Sequence, residues 1–426
     1  MERYILNYLR NTISDERYKK CIENLKVELD WHFYAYGENL SDRYKRGYKG
    51  SLRDRVAAFV QDFLSVSRVP DVNDKQNILT FTRLPAKELE RLDVNIFSTI
   101  FSPIGKRNII GNHDMKLFRD YMNKVFNEMT FNQSLNTEIL DSIIYHEDKL
   151  LENYRDSNLR GLFLNTDEYY FNKVHIDIFK KLNRPSFIFS HGLPGIYSEE
   201  VDNSSDYLVV WGQQIKDNYI SAGFSPDKII VGGNPKYNDF KIKKLRNEMS
   251  DILVMTSGSI QWHMHSWSDL PIYDRSLIVL YLYSVENVLK RSGVTHARLR
   301  PHPSVSIEWL SKYIDLSFYE FDQMPLLDSL SRSTLVIGCT STTFFESLMV
   351  GVNYIIYEPS FNGYTMTGGT LVPPFDGSDE DVVIAEDEET LYELIKDRYC
   401  SNTRILEKYM EPFNFSNVKS ILDRSY

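Results

Sequence analysis

The stretch "ARLRPHPSVS" sets Arg300 and His302 each directly before a proline. A residue preceding proline is driven out of helical space into an extended conformation. Two such residues in succession stand two apart in an extended segment, which predicts side chains on the same side. The apolar residues before them read as a strand, so a guanidinium and an imidazole are expected together at a strand end, with Pro303 closing the turn. That combination suits an anion, and a phosphate in particular.

Two further stretches offer the same chemistry. In "LVIGCTSTTFFESLMVGV" (335–352) an apolar strand runs into Gly338, then Thr340, Ser341, Thr342 and Thr343, then a helix beginning near Phe344. A helix N-terminus presents unsatisfied N–H groups and the positive end of its dipole, and hydroxyls add donors without bulk. The same residues also read as a plain helix cap. Glu346, in the first helical turn, either favours the dipole or reaches a ribose hydroxyl. "VMTSGS" ends another strand with Ser257, Gly258 and Ser259. Ligands of parallel sheets collect at the carboxyl ends of the strands, so three donor-bearing strand ends point to one phosphate-bearing ligand.

Candidates for proton transfer lie earlier. His191 follows the strand "PSFIFS" and opens "HGLPG", a turn that would carry it into a cleft between domains. Its intrinsic pKa suits removal of a proton from a hydroxyl near neutral pH, the alternative being a backbone hydrogen bond within the turn. Glu168 in "NTDEYY" and Asp114 in "GNHD" stand in reserve, the latter reading more simply as an N-cap in a turn. "QWHMHSW" (261–267) pairs His263 and His265 without a third ligand, so no metal site is expected there. It reads as a loop over a ligand, with Trp262 or Trp267 stacking. "DGSDED" (376–381) reads as a solvated acidic loop.

The elements that must position these residues alternate in type. From residue 77 onward short apolar runs alternate with helical stretches, which predicts parallel βαβ units. One series ends near "IIVGGNP"; after "KIKKLRNEMSD" (241–251), which carries no strand signal, a second begins at "ILVMTSGS". The expected organisation is an N-terminal Rossmann-like domain over 1–245, with 1–75 mainly helical, and a C-terminal Rossmann-like domain over 251–395. Helices over 396–426 would pack back across the interdomain region, and the last segment from "ETLYELIK" onward reads as helical throughout. At 426 residues two domains are the natural prior.

Bulk composition bounds the function. Hydrophobic residues make up 42% and charged residues 25%, as in soluble globular proteins. The net charge of −10 argues against nucleic acid as a partner. Cys21, Cys339 and Cys400 form no metal or disulfide spacing, which fits a reducing compartment. No apolar run approaches the roughly 18–20 residues of a membrane span, and the N-terminus lacks a signal-peptide core. A cytoplasmic protein is expected. The segment "SDRYKRGYKGSLRDR" (41–55) interleaves basic residues with Tyr44 and Tyr48; it is either a solvated helix face or a patch for anionic lipid or an acidic glycan.

Taken together, these motifs resemble the GT-B glycosyltransferases that build bacterial capsules, O-antigens and wall polymers. Within them the chain is most similar to the group spanning polysialyltransferases, Kdo transferases and CDP-glycerol glycerophosphotransferases. That group carries an "HP" pair, here His302–Pro303, and a later Ser/Thr motif before a helix, here Thr340, Ser341 and Thr342. The resemblance spans about 185–360, including "SHGLPG" and the run "DYLVVWGQQIKDNYISAGFSPDKIIVGGNPKYNDF". It implies an α/β fold of GT-B type, two Rossmann-like domains facing a cleft, and a donor nucleotide on the C-terminal side. It also implies that the His-Gly at His191 supplies the base. The acidic-acidic-glycine motif of polysialyltransferases has no copy before residue 240. The implied activity is an inverting, metal-independent transfer of an acidic sugar, a sialic-acid-like nonulosonate or Kdo, from a CMP-sugar to a surface-glycan or lipid-linked acceptor. The donor is a substrate and no cofactor is expected. Enzymes using UDP- or GDP-sugars or CDP-glycerol, and sugar-nucleotide epimerases, share the scaffold.

Overall fold

Runs such as "NILT", "SFIF", "LVIG" and "NYIIY" are buried along their whole length. Strands buried on both faces belong in parallel sheets covered by helices on either side. The computed structural model describes residues 11–26, 28, 75–80, 94–98, 108–109, 113–128, 137–167, 169–190, 192–197, 204–237, 243–257, 276–303, 305–361, 366 and 371–424. Most of the helical region expected over 1–75, and all of 41–55, lie outside the described residues.

The N-terminal sheet contains β1 (Asn77–Thr80), β2 (Asn95–Ser98), β3 (Asn108–Ile109), β4 (Leu159–Leu164), β5 (Ser186–Phe189), β6 (Tyr207–Val210) and β7 (Ile229–Val231). Helices α1 (Glu16–Asn24), α2 (His113–Glu128), α3 (Thr137–Arg155), α4 (Tyr170–Lys181) and α5 (Gln213–Ser221) accompany it. Its spatial order is β3-β2-β1-β4-β5-β6-β7.

The C-terminal sheet contains β8 (Ile252–Met255), β9 (Ala297–Arg300), β10 (Tyr319–Phe321), β11 (Leu335–Gly338), β12 (Asn353–Tyr357) and β13 (Ile384–Ala385). Its helices are α6 (Ser276–Arg291), α7 (Ile307–Leu310), α8 (Leu326–Arg332), α9 (Thr343–Val350) and α10 (Glu388–Lys396). Its order is β10-β9-β8-β11-β12-β13, and every pairing in both sheets is parallel. Both sheets therefore begin at a central strand, grow outward, then jump to the other side. That reversal opens a crevice at the carboxyl ends of β8 and β11, the switch point where such sheets bind ligands. Two sheets of this kind in one chain give the α/β architecture of GT-B type expected above.

The C-terminal segment departs from one continuous helical reading. After α10 come two short helices, α11 (Arg404–Tyr409) and α12 (Ser416–Arg424). Between them Met410 is extended, and Pro412 keeps the chain from resuming a helix. The break is used to change partners. The N–H of Glu411 donates to Trp211 O at 2.8 Å and that of Asn414 to Gly232 O at 2.8 Å. Val418 and Leu422 of α12 then complete an apolar cluster with Ile78, Phe163, Phe187 and Val209 of the N-terminal sheet. Gly161 leaves the room this needs: a Cβ there would stand 2.7 Å from a methyl of Leu422.

The acidic loop at 376–381 is exposed at Asp376, Gly377, Ser378 and Glu380, as expected, and departs from expectation only at its end. Asp381 is buried, not solvated. Lys408 of α11 reaches Asp379 at 2.8 Å and Asp381 at 2.6 Å, and the Asn402 amide donates to Asp381. The loop thereby anchors the returning segment to the C-terminal sheet, while Tyr409 packs on Phe345 of α9 with ring centroids 5.5 Å apart.

Candidate functional site

The loops at the carboxyl ends of β8, β9, β11 and β12 converge. Beyond β8, Thr256 Oγ1 accepts the N–H of His302 at 3.3 Å, and Ser257 Oγ donates to Met366 O at 3.0 Å. This stitches the Pro-His-Pro turn to the switch-point strand. Beyond β11, Thr340 gives both its N–H (3.0 Å) and its Oγ1 (3.1 Å) to Glu358, a buried carboxylate just past β12. The Thr343 N–H donates to Ser341 Oγ at 3.2 Å. The N–H groups of Ser341 and Thr342 have no partner among the described residues. Two adjacent amides at the start of α9 are the kind of donor pair that could hold one oxyanion.

Arg300, at the end of β9, is held toward β10. Its Nη1 donates to Met324 O at 2.5 Å and to Asp322 Oδ1 at 3.5 Å, toward β10, whereas the main chain of His302 leans on β8. The cause is Asp322, which the sequence reading did not single out. Asp322 is buried and accepts from Arg298 Nη1, Ser329 Oγ (2.6 Å) and the Met324 N–H (3.0 Å). Burial pushes its carboxyl up, but Ser329, Met324 and Arg298 outweigh that and hold it below the ordinary range. Arg298 is itself buried and further tied to Asp251 at 2.6 Å and Ser333 Oγ at 2.6 Å. Nε and Nη2 of Arg300 have no partner among the described residues. His302, open to solvent on one side, is desolvated enough by its surroundings that its pKa falls below the usual histidine value.

The two sheets meet at this site. The turn after β5 carries Ser190, Gly192 and Leu193; Trp211 Nε1 donates to Ser190 O at 2.7 Å and Ser190 Oγ to Gly192 O at 2.5 Å. The Leu193 N–H donates to Thr342 Oγ1 at 3.1 Å. Glu346, buried in the first turn of α9, accepts from the hydroxyl of Tyr237, a residue of the N-terminal unit. Neither expected role of Glu346 included this partner.

His191, Glu168, Gly258 and Ser259 lie outside the described residues, as does "QWHMHSW". Asp114 sits on α2 and accepts from Asn153 Nδ2 of α3 at 2.6 Å, in the helical layer of the N-terminal unit. Among the described residues no group of three His, Cys, Asp or Glu side chains could hold a metal ion, and no helix is long and apolar enough to cross a membrane. Glu358 had a signal that sequence reasoning passed over, an acid directly following the apolar strand in "YIIYEP"; Asp322 follows the mixed strand "YEF", a weaker one.

Neither a protein-family model nor a curated protein matches the chain. Solved structures do resemble it. The UDP-GlcNAc 2-epimerase of Neisseria meningitidis, bound to UDP-GlcNAc, is 14% identical with a TM-score of 0.45, over 82% of this chain and 99% of that one. The wall teichoic acid polymerase TagF is 11% identical with a TM-score of 0.41, over 96% of each chain. The lipopolysaccharide outer core galactosyltransferase WaaB is 11% identical with a TM-score of 0.42, over 83% of this chain and 100% of that one. These likenesses are too distant to assign chemistry to this chain.

Proposed function

We propose that the chain is an inverting glycosyltransferase that moves an acidic sugar, a sialic-acid-like nonulosonate or Kdo, from a CMP-sugar to a surface-glycan acceptor. The observation that carries the donor assignment is the capacity of the loop after β11. The adjacent amides of Ser341 and Thr342 have no partner among the described residues, and the buried carboxylate of Glu358 is held by the neighbouring Thr340. Two adjacent amides beside a buried carboxyl group suit one phosphoryl group better than two. CMP-sugars carry one; UDP-sugars and CDP-glycerol carry two.

In this reading Ser341 and Thr342 N–H, Arg300 and His302 stabilise the CMP leaving group as the glycosidic bond breaks. Ser257 and the following Gly258 and Ser259 border the donor. His191 takes the proton of the acceptor hydroxyl, and direct displacement inverts the anomeric centre. The reaction needs no metal because the cradle and the guanidinium neutralise the single phosphate. The basic segment 41–55 brings the enzyme to a lipid-linked acceptor at a membrane face.

Thermal-shift and calorimetric titration with CMP, CDP, UMP, UDP and GDP tests this, since a ligand of the native state raises apparent stability by mass action. Selective response to CMP, lost in His302→Ala, is expected. Preference for UDP, CDP or GDP would transfer the assignment to a diphosphate donor or to an epimerase acting on a sugar nucleotide alone.

A further inference from the structure

Domains of one chain move relative to one another by default, unless an apolar interface holds them. Here a single cluster of buried apolar residues joins Trp211 and Tyr237 of the N-terminal unit to Phe344, Phe345 and Phe375 of the C-terminal unit. Tyr409 of α11 belongs to the same cluster. That helix packs on α5 of one unit and on α9 of the other, and its residues Ile405, Leu406 and Tyr409 are each at most 2% exposed. Its apolar side chains act as a wedge between the units.

Beyond α11 the chain is clamped by backbone. Gly212 lies at φ −154°, ordinary extended backbone, yet a Cβ there would stand 2.4 Å from Tyr409 C and 2.5 Å from Tyr409 O. At Gly233 a Cβ would meet Glu411 O at 2.5 Å and Phe413 Cα at 2.8 Å. All four atoms belong to the returning segment, which therefore lies directly on the loops after β6 and β7. The Glu411 and Asn414 amides donate to carbonyls of those same loops, at Trp211 and Gly232. Farther on, Gln76 Nε2 donates to Asp423 Oδ1 at 3.1 Å beside the start of β1.

The segment is equally fixed before it crosses. The Ser401 N–H donates to Asn353 Oδ1 at 2.8 Å and Ser401 Oγ to Tyr354 O at 2.7 Å, both on β12. Where the chain enters the C-terminal unit, Arg246 exchanges backbone hydrogen bonds with Gly351 and Asn353 at 3.0 and 2.9 Å. Close-packed junctions do not deform continuously, so turning one unit against the other requires stripping this segment from its bed. We propose that residues 404–424 form a latch that sets the relative orientation of the two units without any ligand, so that a ligand meets the two units already in place.

Pulsed electron resonance between nitroxides at positions 145 and 313 measures that orientation, since Tyr145 and Tyr313 are exposed, one on each unit. Cys400, the exposed cysteine, is first replaced by serine. The ligand-free chain is expected to give one narrow distance distribution that neither CMP nor UDP shifts. Gly212→Ala, whose added methyl meets the returning segment, should broaden it. The same variant should speed hydrogen exchange of the Glu411 and Asn414 amides by about tenfold, the factor of one net hydrogen bond. Leu406→Ala, which only removes atoms from the wedge, should broaden the distribution less, and it decides if Gly212→Ala does not fold. A broad or two-peaked ligand-free distribution, or a mean that shifts with either nucleotide, would overturn the latch. So would a Gly212→Ala distribution as narrow as the starting one while those two amides exchange freely. The ligand-free comparison decides by itself in a chain that binds neither nucleotide, and so stands apart from the proposed reaction.

Discussion

Arg298 and Arg300 stand two residues apart on β9, and replacing each by methionine should do opposite things. Arg298 is 5% exposed and its guanidinium is engaged by Asp251, Asp322, Ser329 and Ser333. Removing one partner of such a buried pair strands a carboxylate and costs about 3–5 kcal/mol. The lower end applies, because Asp322 keeps Ser329, the Met324 N–H and the more distant Arg300. Arg300→Met removes a bond to Met324 O and a pair at 3.5 Å whose carboxylate remains neutralised by Arg298. That loss is worth about 1 kcal/mol.

Ligand affinity should divide the other way. Among the described residues the carboxylates paired with Arg298, Arg300 and Arg332 are Asp251 and Asp322, and two donors of Arg300 have no partner there. Charge-assisted hydrogen bonds to a phosphate contribute about 1.5–3 kcal/mol, so Arg300→Met should weaken CMP by about 10- to 150-fold. Urea unfolding and calorimetry on the same two variants read both quantities. The pH dependence adds a sign. The Asp322 pKa is depressed in the folded state, so its stabilisation is present above the unfolded value near 4 and lost as pH falls through the folded one. Without Arg298 the stranded charge disappears on protonation, and the stability deficit of Arg298→Met should shrink as pH falls toward about 4. An Arg300→Met chain destabilised as much as Arg298→Met, with CMP affinity intact, would refute the division.

Lys408→Met leaves the buried Asp381 with Asn402 and a distant Arg404 at 4.0 Å, and should lower stability by about 1–3 kcal/mol in urea; a change under 0.5 kcal/mol would show that the acidic loop does not anchor α11. Glu358→Gln keeps an acceptor for Thr340 while replacing the buried carboxyl group by an amide. It should narrow the preference for CMP over CDP in calorimetry, and an unaltered ratio would remove Glu358 from donor selection.

Much of the fold was legible because its signals are local. Apolar runs buried on both faces, such as "LVIG" and "NYIIY", announce parallel strands wherever they sit. The strand ends bearing Ser257, Arg300 and Thr340 were legible for the same reason. What the sequence hid depends on pairs distant along the chain. Nothing near Arg300 reveals that Asp322 stands 22 positions away to claim one of its nitrogens. Asp381 pairs with Lys408, 27 positions on, so the one buried acid of a largely exposed loop had no local signal. The expected C-terminal helices are present, but the stretch around the extended Met410 and Pro412 is not helical and releases the chain onto the other sheet.

Glu346 joins the two halves of the problem. The sequence offered it a choice between supporting the dipole of α9 and reaching a ribose, and the Tyr237 hydroxyl now adds a partner. Tyr237 approaches from the N-terminal unit, as Leu193 does at Thr342 one helical turn earlier. The start of α9 is therefore gripped twice from the facing sheet, at Thr342 and at Glu346, four residues apart and on one face of the helix. A nucleotide seated against that helix would add its phosphate at the cradle while both grips stay closed. The donor site and the contact between the units would then be one surface, and a ligand binding there would stiffen the whole junction.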